Sequence, residues 1–200
     1  MKLYKFRPLK NEEQLARIMD IIINGFYCCD FLKFNDMNEG VFTINHTNFK
    51  INISDKLKYK ICSFSGENAL NSQLMWGHYA NTGMGVVIEV DVGSEKCNQI
   101  KQVKYINSTD NLNSIEQVLT RKSKEWKYED EFRYLSKETD DKVKVGNIVR
   151  VYFGTPYEKL ANYNDIKIKH ENLIIYLKFK DTLKKFCEEK NILCQDYNFK

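Results

Sequence analysis

Proline and glycine are sparse in this chain: two prolines and nine glycines in 200 residues, with no Pro/Gly/Ser-rich stretch that would serve as a linker. One compact domain over residues 1–200 is therefore expected. Long apolar runs are missing too. No segment approaches the ~18 apolar residues needed to cross a bilayer, and the opening Met1-Lys2-Leu3-Tyr4-Lys5-Phe6-Arg7 has no apolar core of signal-peptide length. The expectation is a soluble, cytoplasmic protein with no membrane partner. The six cysteines, at 28, 29, 62, 97, 187 and 194, contain no C-x-x-C pair, and His46, His78 and His170 fall near none of them. That spacing gives structural zinc no support, and no metal is expected. Adjacent Cys28 and Cys29 sit in an apolar run and read as small hydrophobes. There is no G-x-S-x-G elbow and no glycine-rich phosphate loop, so serine-hydrolase and kinase readings fall away. Nor does one sign of charge dominate: 31 basic and 27 acidic residues leave +4, too slight to diagnose a nucleic-acid partner.

What is present is a core. Hydrophobic residues make up 42% of the chain and aromatics 13%, enough for a sizeable interior at this length. Alternation marks Leu3–Phe6 as a strand ended by Arg7-Pro8. Asn11 caps a helix carrying Leu15, Ile18, Met19 and Ile22, with Gly25 as its stop. Residues 26–34 read as extended. The polar stretch 37–58 has no period and reads as a loop that covers something, a candidate lid. Tyr59–Ser65 is expected as a strand placing Ile61, Ser63 and Ser65 on one face, followed by a helix over 67–80. The β-branched run Val86–Asp91 suits a central strand. Further expectations are a strand at 102–106, a helix over 111–125, a strand at 143–153, and a capped helix starting at Thr155-Pro156-Tyr157-Glu158. The tail reads as a strand near 166–168, helices at 173–176 and 181–190, and a last strand at 192–197. The sum is an α+β domain with a mixed, mostly antiparallel sheet and flanking helices.

The densest chemical stretch is Trp126-Lys127-Tyr128-Glu129-Asp130-Glu131-Phe132-Arg133. As a strand it would point Glu129, Glu131 and Arg133 to one face and Trp126, Tyr128 and Phe132 to the other. As a helix it would give a Glu129/Arg133 surface pair worth about 0.3–0.5 kcal/mol. A second cluster, Trp76-Gly77-His78-Tyr79, offers rings for a flat-ring pocket. His78 is the candidate for proton transfer. The alternative is a helix that packs Trp76 into the core and leaves His78 at the water line. A third group, Glu89 and Asp91 with Lys101 or Lys104, would suit a metal-dependent nuclease, although no E-x-K follows on that strand.

The ordered blocks Leu3-Tyr4-Lys5-Phe6-Arg7-Pro8, Phe34-Asn35-Asp36, Cys62-Ser63-Phe64-Ser65, Met75-Trp76-Gly77-His78-Tyr79-Ala80, Gly85 to Asp91 and Trp126 to Arg133 resemble the bacterial domain-of-unknown-function family 2971. Met37 stands where family members usually carry proline. A more distant similarity is to Arg/Ser/Glu-type ADP-ribosyltransferases. It implies an ADP-ribosyltransferase-like fold and NAD as cofactor, bound by Arg7, Ser63, Ser65, Trp76 and Tyr79. It implies catalysis by Glu131 with Glu129, where a fixed carboxylate stabilises the positive charge that develops on ribose. The resemblances further imply a macromolecular acceptor, protein or nucleic acid, a toxin or phage-defence setting, and a neutralising partner protein. The competing expectations are a non-catalytic nucleotide- or nucleic-acid-binding module and the metal-dependent nuclease.

Overall fold

A computed structural model describes residues 1–34, 53–106, 114–137 and 140–198. Its centre is a seven-stranded sheet. The strands are β1 (Lys2–Pro8), β3 (Lys60–Ser65), β4 (Gly85–Val92), β5 (Ile100–Gln102), β8 (Glu131–Ser136), β10 (Gly146–Phe153) and β11 (Leu193–Asp196), in the order β11-β10-β4-β1-β3-β8-β5. All neighbours are antiparallel except β10 and β11, so the sheet is mixed and mostly antiparallel, as the pattern of elements implies. Two small ribbons complete the strands: β2 (Phe26–Tyr27) with β9 (Lys142–Val143), and β6 (Lys104–Ile106) with β7 (Arg121–Ser123).

Period-two alternation gives each face of the sheet its own core. On one side Leu3, Phe64, Ile88, Val90 and Val151 pack under helices α1 (Glu12–Asn24) and α7 (Glu171–Glu189), through Ile18, Ile21, Leu173, Tyr176 and Leu183. On the other, Tyr4, Phe6, Val87 and Tyr152 meet the short helices α3 (Glu67–Leu70) and α4 (Gln73–Tyr79), through Leu70, Met75 and Trp76. Asn11 Oδ1 accepts from the Gln14 N–H at 2.9 Å, and Gly25 ends α1 at φ 99°, as the sequence predicts for both caps.

Several expectations are corrected. The helix over 67–80 breaks at Asn71: Trp76 Nε1–H donates to the Leu70 carbonyl at 2.9 Å, and Ser72 Oγ caps a new helix at Met75 N–H. The strand at 102–106 divides at Val103 between two sheets. Of the helix expected over 111–125, residues 111–113 lie outside the described residues; Ile115–Leu119 (α5) is helical, and Arg121–Ser123 pairs with β6 instead. No helix starts at Thr155. Its hydroxyl donates to the Tyr197 carbonyl at 2.8 Å and Tyr157 has φ 67°, so the helix begins at Tyr163 as α6 (Tyr163–Lys169). The strand expected at 166–168 is part of α6: Tyr163 and Ile166, three residues apart, pack on the core, and Ile168 is exposed. The two helices expected at 173–190 are the single α7. Residues 26–34 hold β2, a bridge at Cys29 and a 3-10 turn at Phe31–Lys33, not one extended run. The candidate lid lies outside the described residues up to 52, and Ile53–Lys56 (α2) is one helical turn.

Candidate functional site

A fork in the sheet creates the site. β1 pairs with β4 along its whole length, from Lys2↔Asp91 to Pro8↔Gly85, but meets β3 only at Tyr4↔Ser65. Beyond that pair the two strands part. Further along, the edge of β3 that faces β1 pairs instead with Cys29, through Cys29 N–H to the Ile61 carbonyl at 2.9 Å and Ile61 N–H to the Cys29 carbonyl at 2.7 Å. The Cys29 segment is therefore a wedge between β1 and β3. Lys5 reaches across the gap to donate from Nζ to the Ser63 carbonyl. The opening is a cavity of about 760 Å³, within the roughly 300–1,000 Å³ of small-molecule sites.

Most sequence-predicted site residues meet here. Arg7, Ser63, Ser65, Tyr79, Glu129 and Glu131 all line the cavity. Trp76 and His78 do not. Trp76 is 2% exposed, edge-on to Phe6 and stacked on Tyr197 at 5.1 Å, so its ring faces serve the core. His78 is exposed, with its Nδ1 3.1 Å from the Tyr128 hydroxyl.

The carboxylates are built by a change of backbone conformation. Lys124–Glu129 is a 3-10 helix, so Trp126 and Tyr128 lie on no strand. Asp130 then takes the left-handed conformation at φ 43°, which aspartate tolerates better than most residues. Its carbonyl accepts from Gly66 N–H at 2.8 Å, and a side chain at Gly66 would collide with the Asp130 carboxylate. The turn starts β8 at Glu131, whose register opposite Ser65 places it on the cavity side. Glu129 and Glu131 arrive together, 4% exposed each, although they lie on different elements.

Arg133 grips Glu131 with two hydrogen bonds, Nε to Oε1 at 2.8 Å and Nη2 to Oε2 at 2.9 Å, and donates from Nη1 to the Leu119 carbonyl at 2.6 Å. Lys122 Nζ lies 2.6 Å from Glu129 Oε2 and 3.4 Å from Glu131 Oε2. The Tyr79 hydroxyl donates to Glu129 Oε1 at 2.5 Å. Burial works to raise the Glu131 carboxyl, but the charge and hydrogen bonds of Arg133, the charge of Lys122 and a hydrogen bond from Ser63 outweigh it and hold it at about 2. A carboxylate offers about four acceptor positions. Arg133 and Lys122 supply three donors to Glu131, whereas Tyr79 and Lys122 supply one each to Glu129 and leave it more acceptor capacity.

The opposite wall is cationic. Among the described residues neither Lys5 nor Arg7 has a carboxylate partner, and burial lowers both below their usual ranges. Counting the whole lining, seven basic side chains face three acids, Asp20, Glu129 and Glu131. Each acid is already paired, Asp20 with Lys142 at 2.7 Å. The lining thus carries more basic than acidic side chains, with Arg17 itself paired to Glu13 at 2.6 Å.

Two contributors went unread in the sequence. Lys122 fell within an expected helix, and only the β6–β7 pairing turns it towards the carboxylates. Lys5 lay within the Leu3-to-Pro8 block, but nothing in that block gave it a role. The residues of the nuclease alternative are dispersed. Glu89 is buried against Lys2 at 2.7 Å and the Tyr152 hydroxyl at 3.0 Å, and Asp91 is exposed beside the N-terminus. Lys101 lies on β5, four strands from β4, or roughly 19 Å at the usual interstrand spacing.

No family model, curated protein or solved structure matches the chain. The likenesses drawn above stand on their motifs alone. No helix among the described residues is long and apolar enough to cross a membrane.

Proposed function

We propose that the forked cavity binds a phosphate-bearing nucleotide, with NAD the first candidate, and that the protein is an ADP-ribosyltransferase-like enzyme or NAD glycohydrolase. One observation carries this reading: a ligand-sized cavity holds Lys5 and Arg7, without carboxylate partners among the described residues, on one wall and the Glu129–Glu131 pair on another. Arg7 and Lys5 would take the phosphates, since an anion there relieves two half-buried cations. Ser63 and Ser65 would line the ribose side and Tyr79 would offer its ring. Cleaving the glycosidic bond releases neutral nicotinamide and leaves positive charge on the ribose, which the fixed charge of Glu131 would stabilise. Glu129, which retains acceptor capacity, would receive the proton of the attacking hydroxyl or water.

A second reading, a non-catalytic nucleotide-binding module, is favoured by one feature. Glu131 accepts three hydrogen bonds from two cations within the protein, as in a structural ion pair. Incubation with NAD labelled in the adenylate moiety, in a whole-cell lysate, separates the two. Release of nicotinamide or labelling of a macromolecule that disappears in Glu129→Gln supports the enzyme. NAD binding that survives Glu129→Gln and Glu131→Gln, with no release from the folded wild type, supports the module.

A further inference from the structure

The wedge that opens the fork places two thiols against each other. Cys29 and Ile61 exchange both backbone hydrogen bonds, so the next positions along the antiparallel bridge, Cys28 and Cys62, form a non-hydrogen-bonded cross-strand pair. Such pairs bring Cα atoms to about 4.5 Å, inside the 4.4–6.8 Å that a disulfide spans. Both side chains are 1% exposed and lie on the same side of the strands in the main core, with the Cys28 thiol directed at the Phe26 carbonyl of its own segment at 3.9 Å. We propose that Cys28 and Cys62 are a thiol oxidation site that closes reversibly into a cross-strand disulfide at the wedge.

Burial works to raise the Cys62 thiol, but its interaction with the neighbouring Cys28 thiol and the charges of Lys5 and Arg7 outweigh it and bring it down to about 7. The same interaction and burial raise Cys28. One thiol is thus set to attack as thiolate while its neighbour stays protonated. The oxidant is a peroxide; Cys29 lines the cavity, while Cys28 and Cys62 lie one position behind that wall and are reached by a local opening of the wedge. The Cys62 thiolate attacks a peroxide oxygen, hydroxide leaves, and a sulfenic acid forms. The Cys28 thiol then displaces water from it, so two thiols and one peroxide give one disulfide and two waters, with two electrons passing from sulfur to oxygen. Closing the bond also replaces a thiolate beside Lys5 and Arg7 with neutral sulfur, which frees both cations for a bound anion. This last consequence rests on the nucleotide-site reading.

The test treats the full chain with a small excess of hydrogen peroxide, blocks free thiols with N-ethylmaleimide, and maps linked peptides by mass spectrometry. The expected result is a Cys28–Cys62 link that dithiothreitol reverses, that persists in Cys29→Ser and that vanishes in Cys28→Ser. Cys187 and Cys194, whose thiols also perturb each other's titration, serve as an internal comparison. A link confined to Cys187–Cys194, a link through Cys29, or no thiol loss in a chain folded by circular dichroism overturns the site. Titration with inorganic pyrophosphate examines the charge effect, with binding expected to tighten several-fold on oxidation. A link that forms without that change overturns the coupling alone. No pyrophosphate binding in either redox state counts against the nucleotide reading and not against the thiol pair.

Discussion

Glu131 and Arg133, two residues apart on β8, point to the same side of the sheet and close a bidentate ion pair at 2.8 and 2.9 Å within the protein interior. The pair anchors the carboxylate wall of the cavity and ties it to α5 through the Leu119 carbonyl. It also fixes the protonation state of Glu131, so the wall keeps its charge wherever the fold persists.

Arg133→Met should lower stability by about 3–5 kcal/mol, because it leaves a buried carboxylate and the Leu119 carbonyl without their partner. Urea denaturation with Glu131→Gln/Arg133→Met as the double variant checks this. The double change should cost less than the sum of the single ones, and simple additivity would show that the pair does not act as a unit.

Acid should reveal the same pair. The Glu131 carboxyl sits at about 2 when folded against 4.5 when unfolded, so the unfolded chain takes up the proton first. Its contribution is fully present above about pH 4.5 and is lost as the pH falls towards 2. The loss is on the order of 3 kcal/mol at about 1.36 kcal/mol per pH unit. Urea midpoints measured from pH 6 down to 2.5 should fall more steeply for the wild type than for Glu131→Gln.

Arg7→Ala should remove stabilisation by NAD while leaving the fold intact. A ligand at 100 times its dissociation constant adds about 2.7 kcal/mol, a shift of several degrees in melting temperature that the variant should lack. Lys5→Met should weaken the shift in the same direction. An NAD-dependent shift retained in Arg7→Ala would move the phosphate site elsewhere.

Trp76 and His78 should part from the cavity residues in behaviour. Trp76→Ala empties the space between Phe6 and Tyr197 and should cost about 3–5 kcal/mol. His78→Ala, at an exposed position, should change stability by less than about 0.5 kcal/mol. Calorimetric titration should find NAD affinity unchanged in His78→Ala, and any loss would place the ring in the binding path.

The strands of the main sheet were legible where period-two alternation or a β-branched run is long enough to outweigh local alternatives, as at Leu3–Phe6 and Val86–Asp91. The caps of α1 were legible for a similar reason, since Asn11 and Gly25 act within a few residues. Thr155 failed because its hydroxyl found a partner in Tyr197, 42 residues away, which no local pattern encodes. Lys122 failed because a three-residue parallel pairing displaced a helix.

From its sequence alone the chain determined an α+β domain, the existence of most strands, and the clustering of Glu129, Glu131 and Arg133 in one short stretch. Those properties depend on neighbours within a turn or a strand, where alternation and caps act directly. Tertiary structure alone decided that β1 and β3 part after a single pair, that Cys29 enters the gap, and that Arg133 and Lys122, not Arg7, neutralise the carboxylates. Each of these is a choice between partners far apart in the chain, set by which strand edge is left open once the sheet has formed.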